Sequence, residues 1–457
     1  MPLPTDMDTS LKIISKEFGF KISDKRKPTN VRFSVSETLK AAARLGRRPY
    51  RPHLAPVSLN QQAATLPPEL LDHILDYLHD DNEALRNCSL VCHALVPSAR
   101  YHLFQKVKIT QENFVRATTI FAGDSPHLTQ YVRDLTLELP MGSLNSTLGR
   151  LRSLLANEEA PVLLRVFMLV LSPRMPNVLR LTLKDVPVDQ SVVAMLAPNF
   201  PQLHTLSLFD CWFSCNADFY AILRDHPAVR HLRCGRLSSL FGSEALSQED
   251  VVPPRSLQTL KITEAYSTSP LTLIPWLVTH SNPEHYTYTL YRLGQVTKLN
   301  QCLVQLSCLK HLHVIFYRWR TEDVEEVAVT PAVLTLIPRH PPTITTLTVD
   351  TKIHSVLLAV SLLGHLDPHA FAHLRTLNIL MHLHEEFVKE VPLESWAAMD
   401  QTLSVLLSLG AINVCNVCSD MTHLEAGKDA VEARLPVLSV RGLLRFDQKW
   451  QPLQLKF

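Results

Sequence analysis

Residues 201–211 read Pro-Gln-Leu-His-Thr-Leu-Ser-Leu-Phe-Asp-Cys, and Leu203, Leu206 and Leu208 in them set a phrase, apolar-x-x-Leu-x-apolar. The phrase recurs as Val178/Leu181/Leu183, Val229/Leu232/Cys234 and Leu257/Leu260/Ile262, so successive units open at Val178, Leu203, Val229 and Leu257 with a near-constant step. Further copies stand at Val132/Leu135/Leu137, Leu309/Leu312/Val314, Ile344/Leu347/Val349, Leu374/Leu377/Ile379 and Leu435/Leu438/Val440. In a chain that is 46% hydrophobic the phrase alone arises by chance, so the regular step carries the weight. Pro176, Pro201 and Pro227 each sit two residues ahead of a phrase, where proline ends a helix by forcing its predecessor out of helical torsions. Residues 192–196 and 219–223 read as the helices so ended. Each unit is then strand, turn and helix, and strands that return through a helix pair in parallel. The Leu and Val positions face inward, and the x positions line the other wall.

This step and phrase resemble the leucine-rich repeat, and residues 203–211 match its core phrase through Cys211. The resemblance is clear over 176–265 and looser elsewhere. It implies an α/β solenoid with an extended concave wall for a protein partner. Outward positions include Arg180, Thr182, His204, Thr205, Ser207, His231, Arg233, Gln258 and Lys261. A mixed polar and basic wall suits a protein better than a small molecule, which wants an enclosed apolar pocket. Arg180, His204, His231, Arg233 and Lys261 are the candidate target contacts there. Phe209 and Trp212, with Phe213, read equally as aromatic anchors for a target or as packing between repeats. Residues 140–172 hold a helix-like run without a strand phrase. In 283–295 the pattern is distorted, with Tyr286, Tyr288 and Leu290 as an alternative strand. After Leu309 the steps lengthen, with units opening at Ile344, Leu374 and Leu435. Residues 396–412 read as an amphipathic helix ending at Gly410, and 435–446 as the last strand and its cover.

Upstream, residues 66–109 form a second kind of sequence. Leu66, Pro67 and Pro68 lead into a helix whose first turn carries Glu69; proline there forfeits no hydrogen bond, and the acid suits the helix dipole. Leu70, Leu71, Ile74, Leu75 and Leu78 make a stripe too wide for one neighbour. Asp80-Asp81-Asn82 breaks the run and caps a second helix bearing Leu85, Cys88, Leu90, Val91, Cys92 and Leu95, which Pro97 closes. Tyr101, Leu103 and Phe104 suggest a third helix, and Val107 and Ile109 alternate as in a strand.

This stretch resembles the F-box in its fungal form: the Leu-Pro-Pro-Glu start, the Cys-Ser-Leu-Val-Cys run at 88–92 and nearly every apolar position match, with Leu95 where the family usually has Trp. The resemblance implies a partner, the Skp-type adaptor subunit of a cullin–RING (SCF-type) ubiquitin ligase. Docking is expected on Leu66, Pro67, Pro68, Leu70, Leu71, Ile74, Leu75, Leu78, Leu85, Leu90 and Val91. The expected organisation is a basic arm over 1–60, an F-box module over 61–109 and a leucine-rich-repeat-like solenoid over 110–457. The function implied is substrate recognition for a ligase. The alternative is a leucine-rich-repeat scaffold outside any ligase, in which the module caps the solenoid.

The rest of the sequence narrows the field. A length of 457 residues allows two or three domains, and a net charge of +2 gives no steering towards nucleic acid or membrane. The start lacks a basic segment followed by an apolar core, and no later apolar run is long enough to span a bilayer. Nine cysteines without a framework fit reduced thiols in cytosol or nucleus. The arm holds Lys25-Arg26-Lys27, Arg47-Arg48 and Arg51, is cut by prolines and reads as disordered with a short helix over 35–45.

Catalytic and metal motifs find no support. Cys415-x-x-Cys418 with His423 is half a zinc pattern and reads as a buried strand; His382-x-His384 before Glu385-Glu386 lacks the i, i+4 spacing. His231, His311 and His313 fall at or beside outward positions and would make binding respond to pH, or are plain surface histidines. With 12 glycines and neither a phosphate loop nor a nucleophile elbow, no cofactor, metal or enzyme activity is expected.

Overall fold

The computed structural model describes residues 67–91, 93–139, 159–239, 254, 256–263, 277–278, 280–317, 334–336, 343–351, 356–381, 385–416 and 424–447. They divide into two compact units, one ending at Leu103 and one beginning at Phe104. The basic arm, its expected helix, Leu66, Cys92, His382, His384, Cys418 and His423 lie outside the described residues.

The first unit is built on three short helices, α1 (Pro68–Tyr77), α2 (Asn82–Val91) and α3 (Val96–Gln105), with a 3-10 turn (His93–Leu95) before α3. Pro67 caps α1 in extended backbone, and its carbonyl accepts the N–H groups of Leu70 and Leu71 at 3.0 and 3.2 Å. Asp81 caps α2: its Oδ1 accepts from the backbone of Glu83 and Ala84 at 3.0 and 2.9 Å, an arrangement worth about 1 kcal/mol. Pro97 does not close α2 as the sequence suggested; it lies in the first turn of α3, where its missing N–H is harmless. Leu75, Leu85 and Ala99 are fully buried, with Leu78, Cys88, Leu95 and Leu103 packed around them. Polar ties add to this core. The Ser98 hydroxyl donates to Asp72 Oδ1, and His102 Nε2 lies 3.1 Å from Asp76 Oδ1, so α3 is pinned to α1 twice.

The second unit is an α/β, leucine-rich-repeat-like solenoid. Its main sheet has twelve described strands, all parallel and in sequence order. They are β1 (Lys106–Thr110), β2 (Asp134–Glu138), β3 (Arg180–Lys184), β4 (Thr205–Phe209), β5 (His231–Gly235), β6 (Thr259–Thr263), β7 (His285–Leu290), β8 (His311–Phe316), β9 (Thr346–Asp350), β10 (Thr376–Met381), β11 (Ala411–Asn416) and β12 (Leu444–Asp447). Two residues of each strand, two positions apart, stack in register from Val107 and Ile109 to Leu444 and Phe446, with Leu206 against Leu232 and Leu208 against Cys234. They share one core with the helices between strands, such as Gln190–Asn199 and Asn216–Asp225.

Backbone contacts repeat with the units. The Leu179 carbonyl accepts from both His204 and Thr205, His204 from Arg230 and His231, Arg230 from Gln258 and Thr259, and Arg375 from Gly410 and Ala411, all between 2.8 and 3.3 Å. A hydroxyl one residue ahead of a phrase clips one repeat to the one before. Ser256 donates to the Val229 carbonyl, Thr343 to Leu309 and Ser408 to Leu374, at 2.8, 2.9 and 2.8 Å. After β3, β4 and β5 the chain turns through Asp185, Asp210 and Arg236, each in the left-handed region with φ of 55, 55 and 52°. It then enters a second parallel sheet of two-residue strands, Pro187–Val188, Trp212–Phe213 and Ser238–Ser239.

Several sequence expectations are corrected here. Residues 106–109 form the first strand of the solenoid rather than the end of the helical module, because β1 pairs with β2 along its whole length. The strand near 283 is the Tyr286/Tyr288 alternative, with buried Pro283 in the lead position. The helix expected over 396–412 spans only Leu393–Ser404, and Leu409/Ile412/Val414 behind it is a further phrase forming β11. Leu435/Leu438/Val440 is not a strand. It starts the helix Pro436–Val440, since a three-residue spacing suits a helix face as well as a phrase, and the last strand is β12.

Candidate partner-binding surfaces

α1 carries two apolar stripes side by side. Leu71, Leu75 and Leu78 follow at i, i+4 and i+7, with Leu75 fully buried and Leu78 packed on the module's core. Leu70, Ile74 and Tyr77 follow at the same spacing one residue earlier, and they are 49%, 49% and 77% exposed. At the end of α2, Leu90 and Val91 are 84% and 75% exposed. Of the docking residues named from sequence, Leu70, Ile74, Leu90 and Val91 therefore face solvent, and Leu71 is half-buried. Pro67 is exposed beside the start of α1, which Pro68 opens. Leu75 and Leu85 are corrected to core: both have no exposed surface and hold the helices together. Tyr77 was missed, although the same i+7 count finds it.

The open face of β1–β11 is set by the first, third and fifth residue of each strand; β12 enters the register one residue later, with Leu444 pairing with Ile412. In the first row, Asp134, Arg180, Thr205, His231, Thr259, His285, His311 and Thr346 are register partners in succession. In the third row the succession is Thr136, Thr182, Ser207, Arg233, Lys261, Thr287, His313, Thr348, Asn378 and Asn413.

Charge is not spread evenly over this face. On β1–β3 the open-face acids, Asp134 and Glu138, are paired. Glu138 accepts from Lys108 and Lys184 at 2.6 Å each, which holds its carboxyl below the usual range, the Lys108 bond having the largest effect. Arg180, a predicted target contact, has its Nε 3.2 Å from Asp134 Oδ2. On β4–β8 no described open-face position is acidic, and Arg233 stands beside Lys261. Burial, and then the positive charge of Arg233 and Arg230, pushes the His231 imidazole down. His285 and His311 stack with ring centroids 4.2 Å apart and planes within 3°; burial lowers both, and His285 lowers His311 further. Towards the C-terminal end the face becomes an amide and hydroxyl ladder, where Asn413 Nδ2 donates to Asn378 Oδ1 at 2.8 Å and Asn378 Nδ2 to Thr348 Oγ1 at 3.1 Å.

The sheet thus gathers Arg180, Phe209, His231, Arg233 and Lys261 on one face, with half-buried His204 just ahead of β4. Trp212 stands apart from them. It belongs to the second sheet, and its ring rests partly against the core beside buried Phe213. Phe209 stays on the open face because its partner across the strands is Gly235, where any Cβ would lie 2.7 Å from the Phe209 ring. His285 went unnoticed because Tyr286 and Tyr288 replace the leucines that mark the phrase. Reading Pro283-x-x-Tyr286-x-Tyr288 as a unit would have placed it.

Both metal-like motifs fall partly outside the described residues, at Cys418 and His423 and at His382 and His384. Cys415 is a buried thiol on β11, and burial holds the Cys211 and Cys234 thiols well above the ordinary range, Cys234 at about 12. No group of three His, Cys, Asp or Glu among the described residues is arranged to hold a metal. Among the described residues no helix is long and apolar enough to cross a membrane.

No protein-family profile matches the chain, and no curated protein sequence does. Among solved structures, it is similar to the Rad7 and Elc1 complex in yeast at 13% identity, over 99% of this chain and 97% of that one, with a TM-score of 0.34. It is also similar to an internalin, InlF of Listeria monocytogenes, at 14% identity over 66% and 68% of the two chains, with a TM-score of 0.21. The fold assignment rests on the strand order and register, not on these likenesses.

Proposed function

We propose that this chain is a non-catalytic receptor subunit of a cullin–RING ubiquitin ligase. The outward stripe of α1 and the end of α2 dock a Skp-type adaptor, and the open face of the solenoid holds a target protein. Ubiquitin transfer is left to the other subunits, and this chain contributes proximity, acting in the cytosol, the nucleus or both. One observation carries the reading: Leu70, Ile74 and Tyr77 lie exposed along the same helix whose neighbouring stripe builds the module's core. Leu75, Leu85 and Ala99 make a small core for a helical module, and covering the second stripe with partner helices would add what the module lacks. The F-box resemblance of residues 66–109 names the partner. Leu95, standing where that family usually has Trp, packs on the module's core, so the apolar anchorage of that turn is kept with a smaller side chain.

The test is co-purification from cell extract. The intact chain should recover the adaptor and cullin, and Leu70→Asp with Ile74→Asp should lose both while the solenoid stays folded. Recovery undiminished by the double substitution would refute the adaptor reading and leave a repeat scaffold capped by its helical module.

A further inference from the structure

We infer that the groove between the helix Leu393–Ser404 and the junction of the helices Leu424–Arg434 and Pro436–Val440 docks an amphipathic helix of a partner protein, acidic in its first turn. The groove lies on the helical side of the solenoid, away from the open face of the sheet, and the inference does not depend on the ligase reading.

The groove starts from the way one helix divides its residues. On Leu393–Ser404 the stripe Trp396, Met399 and Leu403 is buried in the solenoid core, which it shares with the largely apolar helix Val356–Gly364. A neighbouring stripe, Leu393, Ala397, Gln401 and Ser404, follows at i, i+4, i+8 and i+11 and lines the groove instead. Ala433, Arg434, Pro436 and Val437 form the facing wall. The hollow between the walls holds about 440 Å³, because Ala397 and Ala433, one on each wall, are too short to fill it.

Exposure shows that this chain leaves the groove uncovered. Leu393 is 66% exposed, Val437 47% and Val440, three residues on, 89%. Val405, just past the Leu393–Ser404 helix, is exposed too. Arg441 Nη1 donates to the Ser404 carbonyl, so the ends of the two helices meet and bring Val405 and Val440 to the same end of the groove. Single exposed apolar residues are ordinary, but a contiguous set around a hollow marks a surface that meets another molecule.

The polar groups decide what fits. Asp400, the acid in the lining, is buried and already accepts from the Val437 and Leu438 N–H groups at 3.0 and 3.1 Å, so the lining offers a ligand no carboxylate. Arg434 is half-buried in the wall and has no ion-pair partner among the described residues. Asp429 and Glu432 share its helix, but neither lines the groove. Arg441 is exposed at the Ser404 end, and Glu394 is exposed beside Leu393 at the other. A helix laid antiparallel to Leu393–Ser404 brings its first turn to the arginines and its last turn to Glu394. Acids in a first turn and bases in a last turn also suit the helix's own dipole, so one charge pattern serves both folding and docking. Half-burial of Arg434 makes a carboxylate there worth more than at the surface.

Dimensions agree. From Leu393 to Ser404 the groove runs about 16 Å along the helix axis, three turns, enough to seat apolar side chains at i, i+4 and i+7 of a partner helix. An extended peptide fits less well, because both walls are helices whose backbone groups are already bonded and offer no edge to pair.

The experiment uses the intact chain and a fluorescein-labelled peptide, Glu-Glu-Leu-Ala-Gln-Ala-Leu-Ala-Gln-Leu-Ala-Lys-Lys, read by anisotropy. Leu393→Asp with Val437→Asp should weaken binding at least tenfold and leave the melting temperature unchanged, since both side chains are exposed. A charge-reversed peptide, Lys-Lys first and Glu-Glu last, should bind the wild type at least fivefold more weakly. Arg434→Glu should reverse that preference, a switch that lost folding cannot produce. Leu70→Asp with Ile74→Asp should bind the first peptide as the wild type does, which separates this groove from the outer stripe of α1.

No binding, binding indifferent to Leu393→Asp with Val437→Asp, no preference between the peptides, or loss of binding in the α1 variant would overturn the inference. Two results would hand the groove to another occupant and overturn it as well. Tighter binding after removal of residues 448–457 would assign it to the chain's own C-terminal segment. A dimer of the intact chain that Leu393→Asp with Val437→Asp splits would assign it to a second copy.

Discussion

Substitutions made one residue apart, at Ile74 and Leu75, give the sharpest test of the two-stripe helix. Leu75 is fully buried in a core with Leu85 and Ala99, so Leu75→Ala should cost about 3 kcal/mol, within the range of about 2–5 for such truncations. Ile74 is half exposed, so Ile74→Ala removes about 1 kcal/mol of burial and regains about 0.4 from alanine's helix preference. Its net cost to folding should stay below about 1 kcal/mol. Binding should show the opposite order of directness. Covering the exposed halves of Leu70 and Ile74 is worth about 1 kcal/mol each, so Leu70→Ala with Ile74→Ala should weaken the adaptor complex roughly 30-fold. Hydrogen exchange of the α1 and α2 amides reads the first effect, and titration with purified adaptor reads the second. Leu75→Ala should speed exchange by about a hundredfold, and Ile74→Ala by less than fivefold. If Ile74→Ala opened the helices as far as Leu75→Ala, the outer stripe would be structural and the docking argument would fail.

Three further outcomes follow from the solenoid. Asp400, buried, accepts from the backbone of Val437 and Leu438 at 3.0 and 3.1 Å, so Asp400→Ala should strand two N–H groups and lower stability by about 2 kcal/mol in urea unfolding. Gly235→Val would drive a side chain into the Phe209 ring, and thermal melting should show a loss of about 1–3 kcal/mol that Phe209→Ala in the same chain partly restores. Burial lowers the folded-state pKa of His226, His231, His285 and His311, so the unfolded chain binds more protons below about pH 6.5. Stability should therefore be complete above that pH and fall as pH drops through and below it. His285→Gln with His311→Gln should flatten the decline between pH 7.5 and 5.5, and an unchanged slope would count against it.

The fold was legible where side-chain chemistry and spacing agreed. Four consecutive phrases at a near-constant step, opening at Val178, Leu203, Val229 and Leu257, placed β3 to β6, because only a stacked unit demands both the step and the two inward residues. It was illegible where another residue type did the same work. Tyr286 and Tyr288 fill the core positions of β7 as leucines do elsewhere, and Phe104 leads β1 without announcing a repeat. The long gap from Leu374 to Leu435 hid the unit at Leu409, because a helix runs directly into it and both share apolar residues. Leu435 misled for the converse reason: a three-residue spacing fits a helix face and the first half of a phrase alike.

The surfaces were half legible for a different reason. A run of leucines on a helix tells how much apolar area exists, not which stripe meets its own core. Leu70 and Leu71 are chemically equal, and α3 decides between them: the Ser98–Asp72 and His102–Asp76 ties draw it across the side of α1 that carries Leu75. That choice is tertiary and leaves no local mark. On the solenoid, sequence assigned Arg233 and Lys261 to the outward set separately, and the parallel register then made them neighbours. That no described open-face position on β4–β8 is acidic could be seen only once β7 had been admitted to the sheet, since His285 and Thr287 close the gap between Lys261 and His311. A repeat protein writes its core in every unit and its binding site across units, so the first can be read locally and the second only after stacking.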